Sequence, residues 1–475
     1  MTTALAIEDT PAPPGHWPVF AAAALFLLSL ALFWPGVAMY DTVQQYQQVL
    51  SGRYYDWHPP VMARLWSLLA PVAPGTPPML VLQLALYWTG LGALARALGG
   101  GKAVAVLALG ASPLFLGWQG VVLKDPQMVG ALVCATGLTA AWRLRGRAIP
   151  WPVLGLVILC LIYATLVRAN AAFSTVPLIV LLFARPMKRS WAAGAILAGI
   201  AAAILLSQPL NHRLFGAAAS GVDQSEATYD LAAIAVRSGD GAAAGLTSKA
   251  VAALKAGHCV KPLFWDPLFV RGDCDDALSA YDNLHARQLY RLLAGAAARH
   301  PLAYLEQRAA HLNSTLRWLV PAAWPLAEPP GENEPNKVGL ASPPCCEVLS
   351  WQNSAGMMAE TPLGWPVFWI VMAAWGLGVA RRLPAGEPRR IATALFVSAL
   401  CQEASFALLS ISSDLRYHLW AMLGTALGWV LLWHGGPVRW RSNLALAALA
   451  IVLLSGFYTR LTLPSPPAEY SELVL

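Results

Sequence analysis

Charged residues are scarce in this sequence. Only 12% of the 475 residues are Asp, Glu, Lys or Arg, about half the share of an ordinary soluble domain, while 57% are hydrophobic. A chain of this composition would expose far too much apolar surface in water, which excludes a soluble globular fold. The formal charge of +7 comes from short basic clusters between apolar runs, so we expect no nucleic-acid partner.

Two further features are missing. No CxxC spacing occurs among the seven cysteines, so nothing supports a thiolate metal site. The first apolar run lacks a basic n-region and a small-residue cleavage site, which argues against a secretory signal peptide. We therefore expect this run to be retained as a first membrane span, with a cytoplasmic N-terminus.

Long apolar runs are what the sequence has instead. They predict an all-α polytopic membrane protein with about 11 transmembrane helices, since about 20 apolar residues make one spanning helix. The predicted spans are 17–38, 77–98, 103–121, 126–142, 151–167, 171–184, 190–208, 363–380, 391–411, 417–433 and 443–459. The 20 Trp fit this prediction, because indole favours the membrane–water boundary.

The basic clusters predict the orientation. With a cytoplasmic N-terminus, every short cluster falls on the cytoplasmic side, as the positive-inside rule requires. The clusters are Arg96 with Lys102, Arg143 to Arg147, Arg185 to Arg189, Arg381 to Arg390, and Arg439 with Arg441. We therefore expect the first loop, 39–76, to lie outside the cytoplasm.

The spans divide the chain into three predicted parts. They are an N-terminal membrane module at 1–208, a mainly helical extracytoplasmic segment at 209–362 and a C-terminal membrane module at 363–475. Within the segment, the expected elements are helices at 225–237, 281–299 and 301–319, then a Pro/Gly-rich loop at 325–344.

Cysteine positions agree with an outer location for the segment 209–362. Four of the seven cysteines lie there, an even number compatible with two disulfides in an oxidising compartment. Cys259 and Cys274 are the expected pair. Adjacent Cys345 and Cys346 are expected to bond elsewhere rather than to each other.

The first outer loop carries the most informative residues. Asp41 follows the first span directly, and Asp56 and His58 precede Pro59-Pro60. Short helices at 42–50 and 61–69 are predicted to lie at the bilayer surface. Structural roles are the alternative: Asp41 could be only a helix N-cap, and His58 could be an ordinary surface residue at a proline turn.

Polar side chains from distant parts of the chain fall on the same predicted face. They are Lys124 and Asp125 before the fourth span, Arg168 and Asn170 after the fifth, and Asp414, Arg416 and His418 before the tenth. Glu403 lies within the ninth span, where an ionisable group is costly and usually has a partner or a task. Asp125 as an N-cap and Asp414 with Arg416 as a structural ion pair are the alternatives.

This pattern resembles the GT-C superfamily of membrane glycosyltransferases, and in particular a poorly characterised bacterial branch. The resemblance covers 1–208 and 363–460. It rests on the topology and on the motifs Trp34-Pro35-Gly36 with Asp41, Asp56-Trp57-His58-Pro59-Pro60, Lys124-Asp125 and Asp414-Leu415-Arg416-Tyr417-His418. One departure is Thr42, which stands where protein mannosyltransferase-like enzymes have a second acidic residue, so acceptor type and metal dependence stay open.

The resemblance implies transfer of a sugar from a polyprenyl-phosphate donor to an extracytoplasmic acceptor, which could be an envelope glycan, a lipid or a protein. The acceptor hydroxyl must lose its proton as it attacks, so a carboxylate base is needed. Asp41 is the expected base, with Asp125 as a candidate second acid.

The other polar residues are expected to bind substrate. A departing lipid phosphate needs cations beside it, and Lys124, Arg168 and Arg416 are the candidates. His58 and His418 could contact the phosphate or, with Asp56, ligate a divalent metal ion, and the spacing does not decide between these roles. Asp414 and Glu403 complete the expected set.

Two other functions stay open at this point. Glu403, Asp414 and Arg416 could line the pathway of a lipid-linked saccharide transporter or flippase, or of an ion transporter. Against this, no inverted repeat is evident, and most polar groups lie at one face rather than at mid-bilayer. A non-catalytic envelope-assembly protein is also compatible with the long outer segment.

Overall fold

The computed structural model describes residues 15–184, 187–343, 345–433, 443–467 and 469–475. These residues form helices, with isolated bridges but no strand among them. Four of the helices are long and apolar enough to cross a membrane, or five if one bent pair counts as a single span. The fold is that of a helical membrane protein, while the expected number of about 11 spans is not confirmed.

The described residues up to Pro209 contain the helices of the N-terminal part. They are α1 (Trp17–Phe33), α2 (Tyr40–Ser51), α3 (Val61–Leu69), α4 (Pro77–Leu98), α5 (Gly100–Gly110), α6 (Pro113–Gln119), α7 (Lys124–Arg143), α8 (Trp151–Val167), α9 (Ala172–Phe183) and α10 (Arg189–Pro209). The two short helices expected in the first loop are α2 and α3. A π-helical turn, Leu210–Leu214, continues α10.

One predicted span, 103–121, is broken in the structure. It consists of α5 and α6, which are bent by 55° relative to each other. Proline has no N–H to donate and pushes the preceding residue out of the helical conformation, and Ser112 is indeed extended just before Pro113. A hydropathy profile alone does not detect this break.

The next part of the chain has further helices, the first five of which share an apolar core of their own. They are α11 (Ser225–Ser238), α12 (Ser248–Ala256), α13 (Pro267–Val270), α14 (Gly272–Ala277), α15 (Ala286–Arg299), α16 (Pro301–Thr315) and α17 (Cys345–Ala359). The three helices expected here correspond to α11, α15 and α16, and no helix lies within 325–343. The short helices α12 to α14, and α17, were not predicted.

The expected disulfide is present. Cys259 and Cys274 are bonded, and both lie in the apolar core of this part together with Leu254 and Leu268. The Cys345 side chain lies outside the described residues, so the expectation for Cys345 and Cys346 stays a prediction.

The C-terminal part adds the last helices of the described chain. They are α18 (Pro366–Ala380), α19 (Glu387–Leu409), α20 (Leu419–Leu432), α21 (Asn443–Thr462) and α22 (Tyr470–Val474). A 3-10 turn, Leu415–His418, precedes α20. Helix α19 packs against α9, α18 and α20, and α4 packs against α1 and α7.

Glycines allow α4 and α7 to approach closely. A Cβ atom at Gly90 or at Gly137 would collide with the backbone of the other helix. Small residues at a crossing let helix backbones come together, which is the usual means of packing helices in lipid. Helix α7, which begins at Lys124, is thereby fixed in the core.

Several predicted cytoplasmic basic residues meet at one end of the bundle. Arg390 donates to the carbonyls of Leu181, Leu182 and Ala184 at the end of α9, at 2.8 to 2.9 Å, and Arg143 also donates to Leu182. Cations stabilise helix C-termini in this way. Arg185, Arg439 and Arg441 lie outside the described residues.

Candidate functional site

The loop after α1 is fixed against the segment that leads into α7. The Val37 N–H donates to Gly120 O at 3.0 Å, and the Val122 N–H donates to Val37 O at 2.9 Å. Gly36 has φ +110°, and a Cβ there would lie 2.9 Å from the Val122 side chain. Glycine is therefore required at this position for both reasons. The pairing brings the start of α2 next to the start of α7.

Thr42 completes this attachment. Its hydroxyl donates to Val122 O at 2.7 Å and accepts from the Met39 N–H at 3.1 Å, and its side chain is buried. Met39 is the N-cap of α2, so Asp41 lies within the first turn and is not the cap. Thr42 therefore links the start of α2 to the segment that leads into α7.

Asp41 is surrounded by cationic and imidazole groups from other segments. Its Oδ2 lies 3.2 Å from Lys124 Nζ and 3.2 Å from Arg416 Nη2, and its Oδ1 lies 3.7 Å from His58 Nε2. The Asp41 side chain is 15% exposed, which leaves it within reach of a ligand. The structure thus brings four of the sequence-predicted site residues together.

The protonation states follow from these neighbours. Burial alone would raise the pKa of Asp41, but Lys124 and Arg416 outweigh it and hold that pKa well below its usual range. Burial and then Lys124 lower the pKa of His58 to about 3, so its imidazole is neutral. His58 Nδ1 accepts from Lys124 Nζ at 2.6 Å, which leaves the ring proton on Nε2, facing Asp41.

Behind Asp41 lies a second layer of ion pairs. Arg416 Nε is 2.9 Å from Asp414 Oδ2 and 3.7 Å from Asp125 Oδ2, and Asp125 is also ion-paired with Arg168. Asp125 is fully buried and lies inside the first turn of α7, whose N-cap is Leu123. The predicted Asp414–Arg416 ion pair exists, but Arg416 contacts Asp41 as well.

The cluster contains as many carboxylates as fixed cations. Asp41, Asp125 and Asp414 face Lys124, Arg168 and Arg416, and His58 adds no charge. We call this set, with His58, the Asp41 cluster. An entering anion would therefore compete with the carboxylates for the cations.

Two residues beside the cluster, Asn170 and Tyr417, were not among the predicted site residues, although Asn170 was expected at the same face. The Tyr417 ring lies 3.9 Å from the Arg168 guanidinium and 5.4 Å from that of Arg416, and it supports both side chains. Asn170 Oδ1 accepts from Arg168 Nε at 2.6 Å. The position of Tyr417 next to Arg416 in the sequence was the only available indication of its role.

Asp56 is placed apart from the Asp41 cluster. Its Oδ1 accepts from the backbone N–H and the hydroxyl of Ser220, both at 2.7 Å, and its Oδ2 lies 3.3 Å from His212 Nε2. These contacts fasten the first loop to the chain just beyond α10. The predicted role of Asp56 in binding substrate stays untested.

His418 and Glu403 form a pair of their own. Glu403 Oε2 lies 2.8 Å from His418 Nδ1, and His418 Nε2 lies 3.3 Å from the Thr315 hydroxyl. Both side chains are buried. The pair gives the intramembrane Glu403 the partner that its position requires.

The three candidate metal ligands, Asp56, His58 and His418, do not meet in the described part of the chain. The group of three His, Cys, Asp or Glu ligands found there is Cys259, Asp273 and Cys274, and its two sulfurs form the disulfide. Asp56 binds Ser220, and His418 binds Glu403, while His58 faces Lys124. These three side chains therefore do not fit the proposed metal site.

Comparisons with known proteins add little. No family model matches the chain, and no curated protein matches it. A solved structure, the archaeal oligosaccharyltransferase AglB from Archaeoglobus fulgidus in complex with an inhibitory peptide and a dolichol-phosphate, matches with 13% identity and a TM-score of 0.34. The match covers 94% of this chain but only 55% of that protein. A TM-score this low carries no argument, so the GT-C resemblance stays a prediction.

Proposed function

We propose that this protein is a GT-C-type glycosyltransferase of the bacterial inner membrane, which moves a sugar from a polyprenyl-phosphate donor to an extracytoplasmic acceptor. The observation that carries the proposal is the Asp41 carboxylate held at 3.2 Å from both Lys124 and Arg416. A base and phosphate-binding cations side by side are what the reaction needs. This is the function that the Asp41 cluster supports best.

In the proposed reaction, the acceptor oxygen attacks the anomeric carbon while the bond from that carbon to the phosphate oxygen breaks. The configuration inverts, the acceptor proton passes to Asp41, and the electron pair of the broken bond stays on the lipid phosphate. Lys124 and Arg416 stabilise the negative charge that develops there, and Arg168 adds a third positive charge nearby.

The low pKa of Asp41 gives donor binding a second role. A carboxylate that is paired with two cations is a weak base, because the cations stabilise its charged form. A donor phosphate bound by Lys124 and Arg416 supplies negative charge beside Asp41. The pKa of Asp41 therefore rises towards working pH only when the donor is present, which suits a general base.

Asp125 fits a positioning role better than that of a second acid. It is fully buried and is ion-paired with both Arg168 and Arg416. A buried carboxylate between two guanidinium groups keeps them in place, and removal of such a partner leaves uncompensated charge. We assign to Asp125 the orientation of the two arginines towards the phosphate.

The proposal is tested by transfer assays with Asp41→Asn. Wild-type and variant proteins are purified in lipid nanodiscs and incubated with radiolabelled polyprenyl-phosphate sugars and membranes that lack the native protein. We expect the wild type to move label out of the donor lipid, and folded Asp41→Asn to be at least about 10²-fold slower. Asp223→Asn, at an exposed position outside the Asp41 cluster, is the matched control and should transfer normally.

Two outcomes would overturn the proposal. Equal transfer by wild type and Asp41→Asn would show that Asp41 is not the base. Absence of transfer by the wild type over the whole donor panel would exclude the proposed glycosyltransferase activity. Transport of the lipid-linked sugar would then become the function to measure.

A further inference from the structure

A polar cleft lies beside the first-loop helix α2 and is distinct from the Asp41 cluster. Its cavity volume is about 450 Å³. The residues that line it are Gln44, Gln47, Gln48, Ser51, Arg53, Tyr55, Trp57 and Ser220. None of them belongs to the Asp41 cluster, and the reaction proposed above uses none of them. We call this cavity the glutamine cleft.

The wall of the glutamine cleft formed by α2 leads away from Asp41. Gln44, Gln47, Gln48 and Ser51 follow one another at spacings of three, one and three residues, which places them on one face of the helix. Asp41 precedes Gln44 by three residues, so it lies at the N-terminal end of this face. By the helix rise of about 1.5 Å per residue, the face extends about 15 Å from Asp41 to Ser51.

Amides dominate this wall. Each Gln side chain offers two N–H donors and a carbonyl acceptor, and each amide can therefore bind two neighbouring hydroxyl groups. Gln48 Oε1 already accepts from the Tyr55 N–H at 3.1 Å, so Gln48 has donors to offer a ligand. Arg53 is the one charged residue among those that line the cleft. The lining contains no carboxylate that would repel an acidic ligand.

Two aromatic residues also line the glutamine cleft. Tyr55 is 44% exposed and Trp57 is 36% exposed. The Trp57 ring packs against Trp265 at 5.2 Å, which in turn packs on Phe269 at 4.5 Å. An exposed but supported indole presents a fixed π-face, to which polarised C–H groups of a ligand are attracted.

The last lining residue comes from the chain beyond α10 and is held in place. Ser220 donates both its N–H and its hydroxyl to buried Asp56, and Ala218 donates its N–H to Tyr54 O at 2.8 Å. Arg64 also donates its Nε–H to Phe215 O at 2.8 Å. These contacts hold the two segments that form the glutamine cleft in fixed positions relative to each other.

We infer that the glutamine cleft binds the acceptor, and that the acceptor is a saccharide chain whose reactive hydroxyl end points towards Asp41. This inference rests on the proposed function, because it names the acceptor of that reaction. Sugar rings combine dense hydroxyl groups with C–H faces, and the lining combines amides with aromatic rings. A peptide acceptor would favour apolar side-chain pockets or an open strand edge instead.

The test measures binding separately from transfer. Saturation-transfer NMR is recorded on the full chain in lipid nanodiscs, since maltoside detergents would themselves supply a saccharide. The probes are maltotriose, mannotriose and the trimer of N-acetylglucosamine, with a Ser/Thr-rich hexapeptide as the other acceptor class. We expect at least one trisaccharide to bind the wild type, and the peptide not to bind.

Variants of the lining locate the site. The double variant Gln44→Ala with Gln47→Ala should weaken saccharide binding about tenfold, because it removes the hydrogen bonds of two amides. Trp57→Ala should weaken it similarly, whereas Trp57→Phe keeps an aromatic face and should retain most of it. Leu50→Ala, on the same helix but outside the lining, is the matched control.

The outcomes separate this inference from the proposed function. Saccharide binding by folded Asp41→Asn together with lost transfer supports both, and saccharide binding without any wild-type transfer supports the cleft alone. Failure of all three trisaccharides to bind the wild type overturns the inference. Unchanged binding by the lining variants, or preferential binding of the peptide, overturns it as well.

Discussion

Asp41 and Lys124 control each other's charge, since their carboxylate oxygen and ammonium nitrogen lie 3.2 Å apart. Each stabilises the charged form of the other, and Arg416 strengthens the effect on Asp41. In the proposed reaction, a base held in this state is protected from protonation but is also weak. The position of Lys124 would then determine both phosphate binding and the pH range in which Asp41 acts.

Replacement of Lys124 by Met should move the acid limb of the pH profile. With one of the two cations removed, the pKa of Asp41 is less depressed, so the fall of kcat/KM on the acid side should occur at higher pH than in the wild type. The value at the optimum should drop about 10²- to 10³-fold through lost phosphate stabilisation. Lys124→Arg keeps the charge and should leave the limb in place; an unmoved limb in Lys124→Met would contradict the coupling.

The sequence predicts the membership of the Asp41 cluster well but not the role of each residue. Asp41, Lys124, Arg168 and Arg416 all follow or precede spans at the same predicted face, which is enough to bring them together. Asp56 and His418 satisfy the same criterion, yet Asp56 binds Ser220 and His418 binds Glu403. Which side chain meets which depends on the rotation of each helix, and hydropathy carries no information about that rotation.

At the scale of elements, a short pairing between two loops positions the start of α2 against the start of α7. The Val37 and Val122 hydrogen bonds, the close packing at Gly36 and the Thr42 hydroxyl all act on this one contact. In the sequence, the motif Trp34-Pro35-Gly36 closes the first apolar run and contributes to the resemblance. Its physical reason, a glycine packed against Val122, requires the partner segment to be known.

Thr42→Val should separate the effect of this contact from that of charge. The substitution keeps the shape of the side chain but removes its hydroxyl, which donates to Val122 O and accepts from the Met39 N–H. The Thr42 side chain is buried. We expect a loss of about 1–3 kcal/mol in the free energy of unfolding. Transfer should fall as well, because α2 carries Asp41.

Thr42→Ser is the control for Thr42→Val, since it keeps the hydroxyl. Its transfer rate and its thermal unfolding in nanodiscs should remain close to those of the wild type. If Thr42→Val is as stable and as active as the wild type, then the Thr42 hydroxyl has no part in positioning Asp41.

At the scale of the whole molecule, the buried Arg308 side chain attaches the part of the chain around α11 to α16 to the membrane helix α19. Arg308 Nη1 lies 3.2 Å from Asp230 Oδ1, and its other nitrogens donate to Ala407 O and Phe406 O at the end of α19. These partners are far apart in the sequence, and no periodicity links them. The sequence therefore predicted the helices of this part but not how they are held.

Arg308→Met should destabilise the protein in a pH-dependent way. Burial raises the pKa of Asp230 from 3.8 to about 6 even though Arg308 opposes the rise, so without Arg308 this pKa rises further. The folded state then binds the proton more tightly than the unfolded state, so stability is lost as pH increases through the folded pKa. We expect a loss of about 3–5 kcal/mol at pH 8, and a clearly smaller loss at pH 5.

The double variant Arg308→Met with Asp230→Asn isolates this effect from other titrations. Burial raises the pKa of the neighbouring Glu226 to about 7. The pH dependence of the stability of the single variant therefore contains the ionisation of Glu226 as well as that of Asp230. Because Asn cannot carry the uncompensated charge, the double variant should recover much of the stability at pH 8 and little at pH 5. Thermal unfolding in nanodiscs at both pH values measures the difference. Equal melting temperatures of the single and double variants at pH 8 would show that Asp230 carries no uncompensated charge when Arg308 is removed.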